Sequence, residues 1–486
     1  MATSPVADPV SPFAEPVGPK LYRVGTLTYT RGALIHVMFW MLGGDFFFQL
    51  MVSLNPALVP LQLRWAGASD SLIGLLGTSL SSALGFLWFP VVSTYSDRFR
   101  SRLGRRRPFL LWCTPPVVLS LVLMGAAKPA GGLVYRVIAA LGLGSHLTVA
   151  GCTIAWIALC LVVFLLFNAF IVQAFACLIV DVIPQESIGK FTGLYRAVGA
   201  LGNLAFNRWV FGWAEANLLH VYCLVGILFA GAFYLLVWQV KEGEYPPPPP
   251  RAAGGRLGTL KGYLVDSFGH RFYRNFYLVT FFYWASLAPL SFVVFFGTQA
   301  GQPDYAATLG LSLTEFGQVK GWTFVIQIPV FVIVGYFVDR FHPIRVSLLG
   351  LLLTSVSYFC CFWFIHGSSS LLFWWSLNQA VIAIWLGAGL ALGPRLLPRD
   401  RYGQFVSANY IFGISSLIIF PPLVGLLLET LRDYRYLFIF CGVLTFGSFA
   451  AGILLFRQWQ QLGGDRNYAP PQPWLVNPAP TPPSPP

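Results

Sequence analysis

Long hydrophobic stretches separated by short polar loops dominate this chain. A helix needs roughly 20 mostly apolar residues to cross a bilayer, and about twelve windows of the sequence meet this requirement. Only 10% of the 486 residues are charged and 56% are hydrophobic, so the predicted fold class is an all-α integral membrane protein. The predicted transmembrane segments, numbered 1 to 12, are 33–62, 70–95, 108–127, 149–180, 190–212, 218–240, 275–297, 316–338, 346–366, 370–393, 404–428 and 435–457.

The polar loops repeat between the two halves of the chain. Ser96-Asp97-Arg98, between segments 2 and 3, returns as Asp339-Arg340 between segments 8 and 9. Gly189-Lys190, between segments 4 and 5, returns as Gly403-Gln404 between segments 10 and 11. Two related halves rich in membrane-length segments are typical of a secondary transporter. The repeat therefore predicts 12 helices in two pseudo-symmetric six-helix bundles.

The net charge of +13 results from 31 Lys and Arg against 18 Asp and Glu. Such an excess would suit nucleic-acid binding, but most of the basic residues fall in loops on one side of the membrane. The positive-inside rule makes that side the cytoplasm and places both termini there. The charge is thus a topology signal with some attraction for anionic lipid. We expect no nucleic-acid partner and a multi-pass location in the inner or plasma membrane.

Proline-rich pieces mark the expected domain boundaries. Residues 1–31 lack the apolar core of a signal peptide, and the proline run Pro246–Pro250 resists helix formation. The predicted domains are a cytoplasmic tail at 1–31, a six-helix bundle at 32–240, a cytoplasmic linker at 241–274, a second bundle at 275–458 and a disordered tail at 459–486.

The repeated loops also predict contacts between the halves. An acid at the end of one helix can face the positive N-terminus of a helix in the other half. We therefore expect Asp97, with Arg98, to lie near Gly403-Gln404, and Asp339, with Arg340, to lie near Gly189-Lys190. Such latches would hold the cytoplasmic side closed and release it when the halves rock. The alternative is that both loops are topology signals alone, which is the favoured interpretation for the basic run from Arg100 to Arg107.

The loop from Ser96 to Pro108 resembles the signature loop of the major facilitator superfamily. Its expanded basic form, together with Asp181-x-x-Pro184, is similar to the glycoside–pentoside–hexuronide:cation symporters and their sucrose-transporter relatives. The likeness to the superfamily covers about residues 30–460, and the likeness to the branch lies mainly in the first half. It implies the major facilitator fold and transport of a sugar or glycoside by alternating access.

Asp45 is the acid that falls in the middle of a predicted segment. Gln49 and Ser53 follow it at helical spacing, so the three residues share one face. A charged group at bilayer depth costs roughly 2.5–3.5 kcal/mol on insertion scales, which makes it a functional candidate by default. This face of segment 1 is expected to point at a central aqueous cavity.

Segment 5 carries a second polar stripe, with Arg196, Asn203 and Asn207 on one face. In the symporter branch an Asp on helix 1 and an Arg on helix 5 hold sugar hydroxyls, and Asp45 and Arg196 match these positions. A carboxylate accepts hydrogen bonds and a guanidinium donates them, so the pair suits vicinal diols. The alternative is that Arg196 pairs near the cytoplasmic end with Asp339 or Glu186.

The chain lacks other ion ligands of the same branch. Its sodium-using members carry carboxylates on helix 2, at the positions of Gly85 and Phe89 here, and on helix 4, near Gln173. Sodium needs several oxygen ligands, preferably anionic, whereas proton coupling needs one titratable acid. Proton symport through Asp45 is the prediction, and uncoupled facilitation is the alternative. No metal or cofactor is expected.

Amides and aromatic rings complete the predicted site. Each amide could instead join two helices by a hydrogen bond, and each ring could serve packing or the interface belt. The candidates for solute contact are Asn168, Gln173, Gln327, Asn378, Gln379, Asn409, Tyr283, Trp284 and Trp385.

Other function classes compete with a sugar transporter. An enzyme is disfavoured because the six His are scattered over separate segments and no nucleophile or metal motif occurs. A transport-inactive nutrient sensor would keep the fold but lose the polar cavity residues. An exporter of amphiphilic compounds would share the aromatic, sparsely charged interior. The expected transporter acts as a monomer on a small-molecule solute.

Overall fold

The computed structural model describes residues 21–142, 147–244, 263, 267–306, 308–398 and 401–472. Within these ranges the protein is almost entirely helical. A two-stranded antiparallel hairpin near the start, β1 (Tyr22–Val24) and β2 (Leu27–Tyr29), is the exception. Most of the linker expected at 241–274 and parts of the expected tails 1–31 and 459–486 lie outside the described residues. The hairpin falls in the first tail, and the described start of the second tail is partly helical, with the end of Tyr436–Gln461 and the short helix Gly464–Asn467.

In the first half, α3 (Asp70–Gly74) and α4 (Leu80–Arg98) join through a π-helical turn, Leu75–Ser79, into one long element. A second π-helical turn, Phe206–Val210, and a 3-10 turn, Phe211–Trp213, separate α8 from α9. The helices are α1 (Arg31–Val52), α2 (Leu54–Trp65), α3 (Asp70–Gly74), α4 (Leu80–Arg98), α5 (Arg107–Gly125), α6 (Ala127–Ala140), α7 (Val149–Val182), α8 (Gln185–Ala205) and α9 (Ala214–Gln239).

In the second half, a capping box starts the long helix α12. The Ser312 hydroxyl accepts the Glu315 backbone N–H, and the Glu315 carboxylate accepts the Ser312 backbone N–H. The helices are α10 (Arg271–Ala285), α11 (Val293–Gly297), α12 (Leu313–Phe341), α13 (Pro343–Phe364), α14 (Ser368–Leu396), α15 (Tyr402–Leu431), α16 (Tyr436–Gln461) and α17 (Gly464–Asn467).

The described residues contain 11 helical segments long and apolar enough to cross a membrane. One of them, Glu186–Gln239, has 54 residues. At 1.5 Å per residue it would rise about 80 Å, far more than the roughly 30 Å of a hydrocarbon core. It is broken by the turns after α8 and by non-helical backbone at Asn217. It therefore supplies two crossings, and the predicted set of twelve is confirmed.

Helix α6 occupies a stretch that the sequence pattern leaves as a loop. It packs against α7, and a Cβ atom on Gly131 would lie 2.3 Å from Thr153 Oγ1. Leu133 and Val137, on its outer side, are exposed. With 14 residues, α6 is too short to cross the bilayer by itself, and the membrane-length criterion therefore misses it.

Aromatic side chains fill the interior of each half. In the first half, the rings of Phe229 and Phe233 lie 4.4 Å apart, and in the second half those of Tyr273 and Phe405 lie 4.3 Å apart. The outer surface is also apolar: Trp238 is 71% exposed and Leu87 66%. Large apolar side chains on both the inside and the outside are typical of a helix bundle surrounded by lipid.

Candidate transport pathway

Glycines on α8 bring this helix very close to α1. A Cβ atom on Gly202 would lie 2.6 Å from the Phe46 carbonyl oxygen, and one on Gly199 would lie 3.1 Å from Asp45 Oδ2. Small residues permit such close approach of two membrane helices. Asp45 is held inside this contact between two helices of the same half, where none of its surface is exposed.

The two predicted polar stripes face each other across the α1–α8 contact. Gln49 Nε2 donates a hydrogen bond to Asp45 Oδ1 at 3.3 Å, and the Ser53 hydroxyl donates to Asn203 Oδ1 at 2.7 Å. Tyr195 also approaches the carboxylate. Asp45 Oδ2 nevertheless lacks a hydrogen-bond partner among the described residues. A buried carboxylate with an unsatisfied oxygen is costly, and a bound proton would remove its charge.

Arg196 points away from lipid. At 100° per residue it lies about 150° around α8 from the lipid-exposed Leu194 and Leu201. Its side chain is exposed and forms no ion pair with a described residue, although its charge acts on Asp45 from a distance. Asp45 is buried and Arg196 is exposed, and the two form no ion pair in this structure, so their joint site stays a prediction. A joint grip on a solute would require Asp45 to be uncovered.

Several of the predicted amides join helices in this structure. Asn378 is fully buried, and its Nδ2 donates to the Ser357 hydroxyl on α13 at 2.8 Å. Gln327 Nε2 donates to Gln379 Oε1 at 2.9 Å, which ties α12 to α14. Gln173 Nε2 lies 3.4 Å from the Ser93 hydroxyl. The geometry of these three amides therefore matches the alternative of interhelical bonding.

The remaining candidates are two amides with unsatisfied oxygens and three aromatic rings. The side-chain oxygens of Asn168 and Asn409 are buried without a hydrogen-bond partner in the described part of the chain. The rings of Tyr283 and Trp385 pack against each other at 5.0 Å, both largely buried. Trp284 meets the edge of another ring on α15. Asn168 and Asn409 keep free hydrogen-bonding capacity, whereas these rings take part in packing.

The site prediction did not include two further intramembrane cations, Arg208 and Lys320. Both lie where α12 of the second half meets the end of α8 in the first. A Cβ atom on Gly321, the residue after Lys320, would lie 3.5 Å from Arg208 Cβ and 3.2 Å from Leu204 Cδ1. The sequence carries a signal for both, since each basic residue interrupts a predicted apolar segment.

A polar cluster joins the two halves at the end of the bundle away from the start of α1. Arg64 forms an ion pair with Asp70, which is fully buried, and donates to the Tyr434 hydroxyl at 2.8 Å. The Tyr434 hydroxyl donates in turn to Asp70 at 3.2 Å, and the Ser71 backbone N–H donates to Glu429 at 2.7 Å. We call this end the closed face. The predicted topology places it outside the cell.

Tyr305 completes the cluster from the loop before α12. Burial and then the neighbouring Asp70 carboxylate raise the pKa of the Tyr305 phenol above its ordinary value. The phenol therefore stays protonated and can donate to the carboxylate. The Arg64 guanidinium also lies 4.6 Å from the centre of the Phe295 ring. Residues distant in sequence thus stabilise the closed face.

Backbone contacts seal the same face. A Cβ atom on Gly74 would lie 2.3 Å from the Pro421 carbonyl oxygen, and one on Gly425 would lie 2.4 Å from the Asp70 carbonyl oxygen. These contacts join the helix pair α3–α4 to α15. On the other side of the bundle, a Cβ atom on Gly317 would lie 2.4 Å from the Asn207 carbonyl oxygen. No side chain could be added at these positions without separating the halves.

The helix pairing accords with the predicted latches, but their side chains lie outside the described residues. Gly74 and Gly85 approach Pro421 and Ile414, so α4 and α15 run antiparallel and the end of α4 points toward the start of α15. In the same way Gly317 and Gly321 pair α12 with α8. The latch residues whose contacts stay untested are Asp97, Arg98, Asp339, Gly189 and Lys190.

The other latch residues have local contacts. Arg340 is exposed, and its Nη1 lies 3.3 Å from the Tyr336 hydroxyl one turn earlier. Gln404 donates to the Ser267 hydroxyl at 3.1 Å, which links the start of α15 to the chain before α10. Gly403 has open space around it. The two latches remain predictions.

The basic loop before α5 is fixed by acids of its own half. Both Glu242 oxygens accept backbone N–H groups, from Arg105 at 2.9 Å and from Arg107 at 2.6 Å. The Arg105 guanidinium donates to Asp181 at 2.9 Å. Gly104 has a φ of +105°, and a Cβ there would lie 2.6 Å from the Glu242 carboxyl carbon. This loop therefore ties the start of α5 to the ends of α7 and α9.

Glu242→Gln is expected to lower the stability of the first half. The carboxylate accepts several charge-assisted hydrogen bonds at the start of α5, and a neutral amide can accept only through its single oxygen. We expect a loss of about 1–2 kcal/mol, measured as a lower unfolding temperature in detergent. Glu244→Gln, two residues along and exposed, is the matched control. Equal unfolding temperatures for the two variants would contradict the prediction.

Comparison with known proteins decides the family. The family model of the Major Facilitator Superfamily matches residues 37–393 and 287–485. The chain belongs to the major facilitator superfamily. Solute carrier family 45 member 4 of Mus musculus is 27% identical over 197 residues, which are 38% of this chain and 24% of that protein. The match thus spans about a quarter of the length of the mouse protein.

Solved transporter structures share the major facilitator fold of this chain. The nucleoside transporter NupG gives a TM-score of 0.65 at 12% identity, covering 86% of this chain and 100% of its own. The peptide transporter POT in complex with sulfate gives 0.63 at 13% identity, covering 90% and 97%. A bacterial homologue of the iron transporter ferroportin gives 0.61 at 16% identity, covering 87% and 99%. This superfamily member is a multi-pass membrane transporter rather than an enzyme.

Proposed function

We propose that this transporter carries a small polar solute, a sugar or glycoside, by alternating access and couples its movement to protons through Asp45. The observation that carries the proposal is the burial of Asp45 in the α1–α8 contact, with one carboxylate oxygen unsatisfied. A membrane protein retains a charge at such a place at considerable cost, and function is the usual reason.

The residues around Asp45 favour protons as the coupling ion. Gln49 and Tyr195 are neutral neighbours of Asp45, and the described residues contain no cluster of three or more His, Cys, Asp or Glu side chains. Sodium would need several oxygen ligands around one ion. A proton needs Asp45 alone, and its binding would change how tightly α1 and α8 pack.

Contacts at the two ends of the bundle would open and close in turn to give alternating access. The closed face joins the halves through Arg64, Asp70 and Tyr434, whereas the predicted latches occupy the opposite end. When one set of contacts forms as the other breaks, a solute between the halves meets one side of the membrane at a time. Such rocking needs two contact sets of similar stability, because a large difference would lock one state.

Polar and aromatic groups between the halves would hold the solute. Arg196 is exposed and points inward, and Asn168 and Asn409 keep unsatisfied oxygens. The nucleoside and peptide transporters with the same fold carry polar solutes, which is compatible with such a site. The residues proposed for solute contact in this state are Arg196, Asn168 and Asn409. The other candidates would have to leave their present contacts first: Asp45, Gln49, Asn203, Gln173, Tyr283, Trp284 and Asn378.

Uptake by the purified full chain in proteoliposomes tests the proposal. Labelled mono- and disaccharides are offered with and without an inward proton gradient, alongside a panel of amphiphilic organic cations. We expect saturable sugar uptake that the gradient drives above equilibrium. Selective movement of the cations would favour an exporter of amphiphilic compounds. Sugar binding without movement would favour a sensor, and either result would overturn the proposal.

A further inference from the structure

Lys320 and Arg208 are cations at the boundary between the halves, and no described residue supplies a counter-charge to either. Lys320 forms no ion pair and no hydrogen bond through its side chain with a described residue, and the same holds for Arg208. They lie on facing elements of the two halves, at the level where Gly321 meets Leu204. Two positive charges therefore approach the same boundary with no described acid between them.

Lys320 points into the protein rather than into lipid. At 100° per residue it lies about 150° around α12 from Trp322 and Ile333, each 54% exposed on the lipid side. Gln327, which bonds to α14, lies close to the same angular position as Lys320, two turns further along. The lysine therefore faces the interior, between the α8 contact and the α14 contact.

An unpaired ammonium is expensive at this depth. Lysine near the ends of membrane helices usually extends to the headgroups or pairs with an acid. Lys320 lies about two turns inside the apolar span Leu313–Val338, and no described acid forms an ion pair with it. A negative group on a mobile solute would supply the missing partner, and only while the solute is bound.

We propose that the transported solute carries an oxyanion group, a carboxylate or a phosphate, and that Lys320 binds it with Arg208 beside it. This inference rests on the proposed transport function. An ammonium is a compact donor for such oxygens, and a guanidinium can bind two of them at once. Since the two cations come from different halves, an oxyanion between them would draw the halves together at this level.

Arg196 extends the same charge along the pathway. It lies twelve residues before Arg208 and points inward from α8, so the two backbones differ in depth by about 18 Å. A single oxyanion therefore cannot contact both at once, and Arg196 is not part of the proposed Lys320–Arg208 site. Asp45 is buried in the α1–α8 contact in this state and forms no ion pair with a described cation. Arg196, Arg208 and Lys320 are all cations, and none forms an ion pair with a described residue; such an excess of positive charge favours anionic over neutral solutes.

Glucose, glucuronate and glucose 6-phosphate are the three probes that test the inference. They share the same sugar ring and differ only in the group at carbon 6. Binding and uptake are measured with the full chain in proteoliposomes, for the wild type and for Lys320→Met, Lys320→Arg and Lys128→Met. Lys128 is exposed on α6 and serves as the matched control. We expect the wild type to prefer one or both anionic probes. Lys320→Met should weaken that preference by about tenfold to a hundredfold, and Lys320→Arg should keep most of it.

The outcomes separate the oxyanion site from transport itself. Equal or better binding of glucose by the wild type would overturn the inference, as would an equal loss of all three probes in Lys320→Met. Binding of an anionic probe that depends on Lys320 but without uptake would support the oxyanion site and refute the proposed transport. Binding of none of the probes would overturn the site. Comparison of the binding of glucuronate with that of glucose 6-phosphate shows which oxyanion is preferred.

Discussion

Gly74→Ala is expected to abolish most transport, because it prevents the closed face from forming. The added Cβ would lie 2.3 Å from the carbonyl oxygen and 2.6 Å from the carbonyl carbon of Pro421. Both are backbone atoms of α15 and cannot rotate away, so the halves must separate. Overpacking of this kind costs about 1–3 kcal/mol. That cost shifts the balance between closed and open states by roughly five- to 150-fold.

Gly77→Ala is the matched control for this prediction. It lies three residues from Gly74 in the same element, and its Cβ would meet its nearest neighbour, Pro60, at 3.9 Å. Initial uptake rates should fall in Gly74→Ala and stay near wild type in Gly77→Ala. A cysteine introduced at Ser71 should react faster with a membrane-impermeant maleimide when Gly74→Ala is also present. Unchanged uptake and labelling would show that this contact does not control the closed face.

Sequence patterns predict the membrane helices well because the relevant physics is local. A bilayer sets a length and a polarity for each crossing, and both can be read from consecutive residues. The stripes that contain Asp45 and Arg196 follow from helical spacing in the same way. Even the break after α8 agrees with the predicted gap between segments 5 and 6. The pattern missed α6, which is too short for the length criterion.

Contacts between distant parts of the chain could not be predicted in this way. The pairing of Asp70 with Tyr434 joins residues 364 positions apart, and the periodicity of one helix says nothing about its neighbour. For the same reason, the sequence placed Asp45 on a polar face but could not show that Gly199 and Gly202 cover that face. Lys320 was visible as a charge within an apolar segment, but only the tertiary structure shows that no described residue pairs with its side chain.

Asp45→Asn is expected to uncouple transport from the proton gradient. Asparagine has nearly the same size and can still bond to Gln49, but it cannot bind and release a proton near neutral pH. Concentrative uptake driven by a proton gradient should fall to the equilibrium level. Exchange of labelled for unlabelled solute across the vesicle membrane should continue, since exchange needs no net proton movement.

Comparison of these two assays distinguishes coupling from folding and binding. A variant that had lost its fold or its solute site would fail in both assays, whereas loss of coupling removes accumulation alone. Asp304→Asn, an exposed acid in the loop before α12, controls for loss of negative charge and should behave as wild type. Accumulation by Asp45→Asn against a gradient at the wild-type level would refute proton coupling through Asp45. In that case the buried carboxylate would serve the packing of α1 against α8.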